Sequence, residues 1–214
     1  MREQLRRAFA RWGLPGCLRV DNGPPWGSTG DFPTALSLWV IGLGVEMHWN
    51  SPRSPQENGV VERSQGTSAR WCEPHTCDSP AELQARLDEM DRLHREGYPY
   101  RERLGRAAYF PGLEHSGRPY TREAEEAQWD WARVAEHLAG YVVVRRVDRS
   151  GLVSLYNRGH YVGQVHQGQE VYVMYDPQLN EWFFTDRDGR QLRRQPAAQL
   201  SRERVLRLEV ADRG

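Results

Sequence analysis

The chain contains no lysine: all 29 of its basic residues are arginine. Its cationic contacts are therefore made by guanidinium groups, which grip phosphate and carboxylate bidentately where an ammonium acts as a point charge. A GC-rich coding sequence would give the same bias. Net charge is missing too, since 29 acids cancel 29 bases. Composition alone does not mark a nucleic-acid binder, and any phosphate contact has to come from a local excess of Arg. Cysteine is scarce. Cys17, Cys72 and Cys77 in 214 residues make no disulfide framework. The longest apolar run, Leu36 to Val45, is broken by Ser37, Gly42 and Gly44 and is far too short to span a bilayer. The amino-terminal Met-Arg-Glu-Gln-Leu-Arg-Arg lacks the apolar core of a signal peptide. These absences exclude a secreted disulfide scaffold and a membrane protein, and the expectation is a cytoplasmic one.

What is present is ordinary globular material, 38% hydrophobic and 27% charged, enough for one large domain or two small ones. Leu5, Phe9 and Trp12 recur at helical spacing over residues 2–12, and Gly13 and Pro15 stop the run. Cys17 to Val20 reads as a short buried strand leading into Asp21, followed by a Gly/Pro-rich turn from Asn22 to Gly30. A helix is expected over Pro33–Leu43, a half-buried strand over Val45–Trp49, a loop over 51–59 and a helix from about Asn58 to Trp71. Ser79, Pro80 and Glu82 supply an N-cap, a first-turn Pro and a capping-box acid for a helix reaching about Glu96. A third helix is expected from Arg122 to about Leu138. From Gly140 the period changes: residues 141–195 are rich in Val, Tyr and Phe and punctuated by turn sequences, which predicts five or six short strands in a closed or nearly closed barrel.

Two stretches carry chemistry. Val20-Asp21-Asn22-Gly23 places an acid at the end of a strand, and Pro55-Gln56-Glu57-Asn58-Gly59-Val60-Val61-Glu62-Arg63 places another in the first turn of a helix. Asp-Asn-Gly is also a common tight turn, and a lone helical Glu is usually solvated. Taken together with their flanks, and with Trp39 to Val45 between them, the two stretches resemble the catalytic domain of DDE integrases and transposases. Arg101 to Gly105 and Ser116 to Tyr120 are similar to the linker between catalytic domain and barrel in bacterial insertion-sequence transposases.

The resemblance implies a fold of α/β plus all-β class. Its parts are a partial RNase H-like domain over 1–76 lacking its first strands, a helical connector over 77–139, an SH3-like small β-barrel over 140–197 and a tail over 198–214. It implies metal-dependent DNA cleavage and strand transfer (DNA integration) in a bacterial cytosol or nucleoid. Asp21 and Glu62 would be the second and third ligands of Mg²⁺ or Mn²⁺. The partners implied are DNA, as mobile-element ends and target, and further copies of the chain or an intact transposase; no membrane and no small-molecule substrate is implied. The family's first catalytic Asp has no counterpart, because residues 1–20 contain no Asp. The expectation is a chain that begins too late and is inactive alone.

Other residues are read beside these. Glu57 is the rival acid, taken as solvated or DNA-facing. Gln56 and Asn58 either hydrogen-bond phosphate and base edges or cap the loop; Arg63 either positions a phosphate or forms a surface ion pair. Residues 141–207 hold 11 Arg against 7 Asp and Glu, and Arg145, Arg146, Arg193 and Arg194 are candidates to track a DNA backbone. Cys72, His75 and Cys77 offer three ligands within six residues, one short of a closed zinc site. A non-catalytic DNA-binding or regulatory protein acting on transposon ends and a protein-interaction module remain as alternatives.

Overall fold

A computed structural model describes residues 1–211. The chain runs α1 (Arg2–Trp12), β1 (Cys17–Val20), α2 (Ala35–Gly42), β2 (Glu46–Trp49), α3 (Gly59–Cys72), α4 (Pro80–Arg92), α5 (Arg106–Tyr109), α6 (Glu125–Gln128) and α7 (Trp131–Ala139). Six strands follow: β3 (Val143–Arg146), β4 (Leu152–Leu155), β5 (Arg158–Tyr161), β6 (Glu170–Asp176), β7 (Glu181–Thr185) and β8 (Gln191–Pro196). The last described element is α8 (Arg202–Arg207). The architecture is mixed α/β. Among the described residues no helix is long and apolar enough to cross a membrane.

The residues divide into two compact units, each assembled from separate stretches of chain. One contains Gly16–Asn50 and the residues from Glu123 onward; the other contains Glu3–Pro15 and Ser51–Arg122.

In the first unit, β1 and β2 lie parallel with Cys17 opposite Glu46 and Val20 opposite Trp49. Only Val20 of β1 is buried, so the strand is half-covered rather than the interior strand its apolar residues suggest. The connection between them is α2, which begins two residues later than its sequence pattern because Thr34 is the N-cap, its hydroxyl accepting from the Ser37 N–H. Every α2 residue from Leu36 to Gly42 is buried, as befits a helix apolar all round. It packs against α7, whose inward face is Val134, Ala135 and Leu138.

The single helix expected over 122–138 is two. Trp129 takes an extended backbone, and Asp130 then caps α7 by accepting from Ala132 N–H at 2.8 Å. The break swings the Trp129 indole over α2, where its Nε1 donates to the Trp39 carbonyl at 3.0 Å.

The β-rich half forms a four-stranded antiparallel sheet in the order β3-β6-β7-β8 and a separate hairpin, β4-β5. No barrel closes among the described residues. The hairpin is joined to the sheet by side chains where a ladder would be needed: Arg145 Nε on β3 donates to the Ser154 carbonyl at 3.3 Å, and Gln195 Nε2 on β8 donates to the Tyr161 carbonyl. Under the sheet lie Val143, Val171, Val173, Tyr175, Trp182 and Phe184, all buried. Phe32, from the loop before α2, enters the same cluster with its ring 4.8 Å from that of Trp182.

In the second unit, Phe9 of α1 meets Tyr120 edge-on at 5.8 Å, and α3 packs on α4. The α3 contact is thin: Cys72 is its one buried residue, and Val60 is 79% exposed. The stretch 51–59 contains a 3₁₀ turn, Pro55–Asn58, that leads straight into α3. Helix α4 ends in a π-helical turn, Leu93–Gly97.

Candidate functional site

Asp21 follows β1 directly and is exposed. Its backbone is fixed from both sides. The Asn50 N–H donates to the Val20 carbonyl at 2.8 Å, extending the parallel pair by one rung. Asn22 then ties the turn down: its Nδ2 donates to the Asn50 carbonyl, and its Oδ1 accepts from the Thr29 N–H and hydroxyl at 2.8 and 2.7 Å. Asn50 is itself buried, its Oδ1 taking a 3.0 Å hydrogen bond from Arg19 Nε. The Trp26 carbonyl accepts from Ser37 Oγ at 2.8 Å and Trp49 Nε1 at 3.2 Å, so the whole 22–30 loop is anchored to α2 and β2. Against this scaffold the Asp21 carboxylate makes no hydrogen bond or ion pair among the described residues.

Asn22 and Asn50 are the residues that sequence reasoning passed over. The first lay in plain view inside Asp-Asn-Gly, where Asn is the type that bonds backbone groups from its side chain. Asn50 gave no local signal, because its role depends on β1, thirty residues away.

Glu62 is exposed and sits in the first turn of α3, where the unpaired N–H groups of the helix favour negative charge. Its carboxylate also has no partner among the described residues. Glu57 has one: its Oε2 accepts from the Ser51 N–H at 3.1 Å and closes the loop ahead of the helix. Asn58 occupies the N-cap position of α3 without a side-chain capping bond. The Gln56 side chain and the Arg63 guanidinium are exposed and unpartnered among the described residues. Asp21 belongs to the first unit, and Gln56, Asn58, Glu62 and Arg63 to the second.

The four sheet arginines fall into two kinds. Arg145 is occupied: it pairs with Asp31, and it donates to the Ser154 and Val144 carbonyls. Arg194 is likewise held by Asp176 at 3.1 Å and Glu181 at 3.5 Å, and lies over the Phe183 ring. The N–H of Leu179 leads a set of donors that keep the Asp176 carboxyl below its ordinary range, so that pair persists into acid. Arg146 makes one bond, to the Gly168 carbonyl at 3.1 Å, and no ion pair among the described residues. Arg193 is exposed with neither. Of these four, Arg146 and Arg193 therefore keep guanidinium capacity for an outside anion.

Cys72, His75 and Cys77 do not gather as ligands. Cys72 is buried, and burial pushes its thiol pKa up, away from the thiolate that binds zinc. The Cys77 Sγ points to the carbonyls of Cys72 and Glu73 at 3.8 Å. Among the described residues no three His, Cys, Asp or Glu side chains are grouped as a metal-ligand set. Asp21 and Glu62 do supply the hard oxygen donors that Mg²⁺ and Mn²⁺ prefer.

No protein-family model matches the chain.

Proposed function

We propose that the chain is part of a DDE-type transposase or integrase, a polynucleotidyl transferase acting on mobile-element ends and target DNA. On this reading β1, α2 and β2 are a portion of an RNase H-like core, and the sheet and hairpin of β3 to β8 are an SH3-like module left unclosed. The observation that carries it is a pair of acids at the required positions, strand end and first helical turn, both exposed and both without a partner that would explain them structurally.

Asp21 and Glu62 would hold Mg²⁺ or Mn²⁺, which supplies Lewis-acid stabilisation of phosphoryl oxygens. Gln56, Arg63, Arg146 and Arg193, with free donors, would meet the DNA backbone.

The test is Mn²⁺-induced broadening of backbone amide NMR signals. Signals around Asp21 and around Glu62 are each expected to broaden, with Asp21→Asn abolishing the effect at its own position and Glu62→Gln at the other. Broadening at one alone, or at neither, removes the reading. Mg²⁺-dependent DNA cutting by the chain, lost in Glu62→Gln, would support the catalytic reading directly. The non-catalytic alternative is favoured by the free guanidiniums; it predicts salt-sensitive DNA binding that persists in EDTA.

A further inference from the structure

Unit-two residues that follow α4, together with Trp71 of α3, form a second feature that the carboxylates do not use. Four aromatic rings here are exposed: Trp71 (47%), Tyr98 (50%), Tyr100 (41%) and Phe110 (48%). They fall into two groups. Trp71 meets His94 at 5.2 Å and Tyr98 at 6.2 Å, and His94 stacks on Tyr98 at 5.6 Å. Tyr100 meets Phe110 at 5.6 Å and Tyr109 at 5.8 Å. Arg106 joins the groups, with its guanidinium 3.4 Å from His94 Nδ1 and 5.8 Å from the Tyr100 ring centre. Arg101 lies over the same Tyr100 ring at 5.3 Å.

Burial does not account for this strip, and neither does ion pairing. Arg101, Arg103 and Arg106 have no carboxylate partner among the described residues. The backbone beneath is unusually constrained. Tyr100 N–H donates to the Leu104 carbonyl at 2.9 Å and Leu104 N–H to the Arg101 carbonyl at 2.8 Å, closing a tight turn. Its central residues, Glu102 and Arg103, both take positive φ, 48° and 66°, with no glycine to ease it. Gly105 then presses against the π-helical turn; a Cβ there would lie 2.2 Å from the Glu96 carbonyl oxygen. A strained turn and a π-helical turn are features that tend to persist where they position something.

We propose that this strip, built on residues 93–110 and Trp71, binds single-stranded nucleic acid, with unpaired bases stacking on the exposed rings and the phosphates running past the three arginines. Rings alternating with unpaired cations fit a polyanion that brings its own flat apolar faces, which a single strand does and a paired duplex does not. A protein partner of ordinary composition would need acids set opposite all three guanidiniums. The inference stands apart from the Asp21 and Glu62 reading, since stacking needs no metal.

The experiment is fluorescence anisotropy with labelled oligothymidylate and a duplex of equal length, using the full chain in EDTA. Binding is expected to be roughly ten-fold tighter to the single strand, with Tyr100→Ala losing roughly ten-fold and Tyr100→Phe retaining it. Arg103→Gln should lower the slope of log affinity against log salt by about 0.7, one phosphate's worth. Circular dichroism establishes that each variant is folded. Equal affinity for single strand and duplex, or a folded Tyr100→Ala that binds normally, overturns the proposal. So does self-association that depends on Tyr100 with no affinity for DNA, which would give the strip to a protein partner. Because the assay is run in EDTA, where no metal is held, its outcome separates failure of this inference from failure of the metal-site reading.

Discussion

A methyl group added at Gly42 would lie 2.1 Å from the Trp129 indole. The sequence marks this glycine as the end of a helix, and it does stand last in α2, but the requirement for it comes from a ring nearly ninety residues away. Gly42→Ala must displace an indole whose N–H is already spoken for by the Trp39 carbonyl. The expected cost is about 1–3 kcal/mol, typical of forced overpacking, seen as a lower urea midpoint in Trp fluorescence. An unchanged midpoint would mean that the indole has somewhere else to go. The same limit on foresight applies around the candidate site. Asp21 and Glu62 were legible because strand ends and first helical turns are local patterns. The occupation of Arg145 by Asp31 and of Arg194 by Asp176 was not, because a count of arginines is blind to which acids fold beside them.

At the level of elements, capping chemistry was the most readable signal. Ser79, Pro80 and Glu82 start α4 as their order predicts: the Ser79 hydroxyl accepts from the Glu82 N–H at 3.2 Å. The reciprocal bond differs in detail, since Glu82 Oε2 reaches the Asp78 N–H at 2.8 Å. Ser79→Ala should destabilise the second unit by about 1 kcal/mol, measurable as a shift of the urea midpoint followed by helical circular dichroism. Ser79→Thr should recover most of it. If alanine is tolerated, α4 is held by its packing on α3 rather than by its cap. Helix 122–138 went the other way. Its composition suits one helix, but Asp130 offers a better cap inside the run than at its start, and burying Trp129 against α2 fixes the break there.

For the first unit taken whole, the decisive term is how a sheet and a hairpin share a core. Strand number and turn positions were visible as alternation and turn residues; closure was not, because it depends on which edges meet. His160 shows what the arrangement costs. It is buried, with Nδ1 donating to Gln195 Oε1 at 3.1 Å and Nε2 3.1 Å from the Gln199 amide, whose N–H it accepts. Desolvation leads the causes that lower its pKa below the ordinary 6.5, and burial lowers that of His137 likewise. Above about pH 6.5 both states carry neutral rings and nothing is lost. As pH falls below that value the unfolded chain takes up protons that the folded one refuses, so stability declines until the depressed folded values are passed. Thermal melts between pH 7.5 and 5.5 should show this fall, and His160→Gln should shrink it. An identical fall in the variant would move the cause elsewhere.

The seam between hairpin and sheet has a mechanical meaning. Each pair of strands within the sheet is joined by a ladder in which several backbone bonds must fail together. The hairpin hangs on side chains, Arg145 at one side and Gln195 and Gln199 at the other, latches that can release singly. Pulled apart or swollen, this unit would open along that line first, exposing the Phe32 and Trp182 rings while the four-stranded sheet stayed whole.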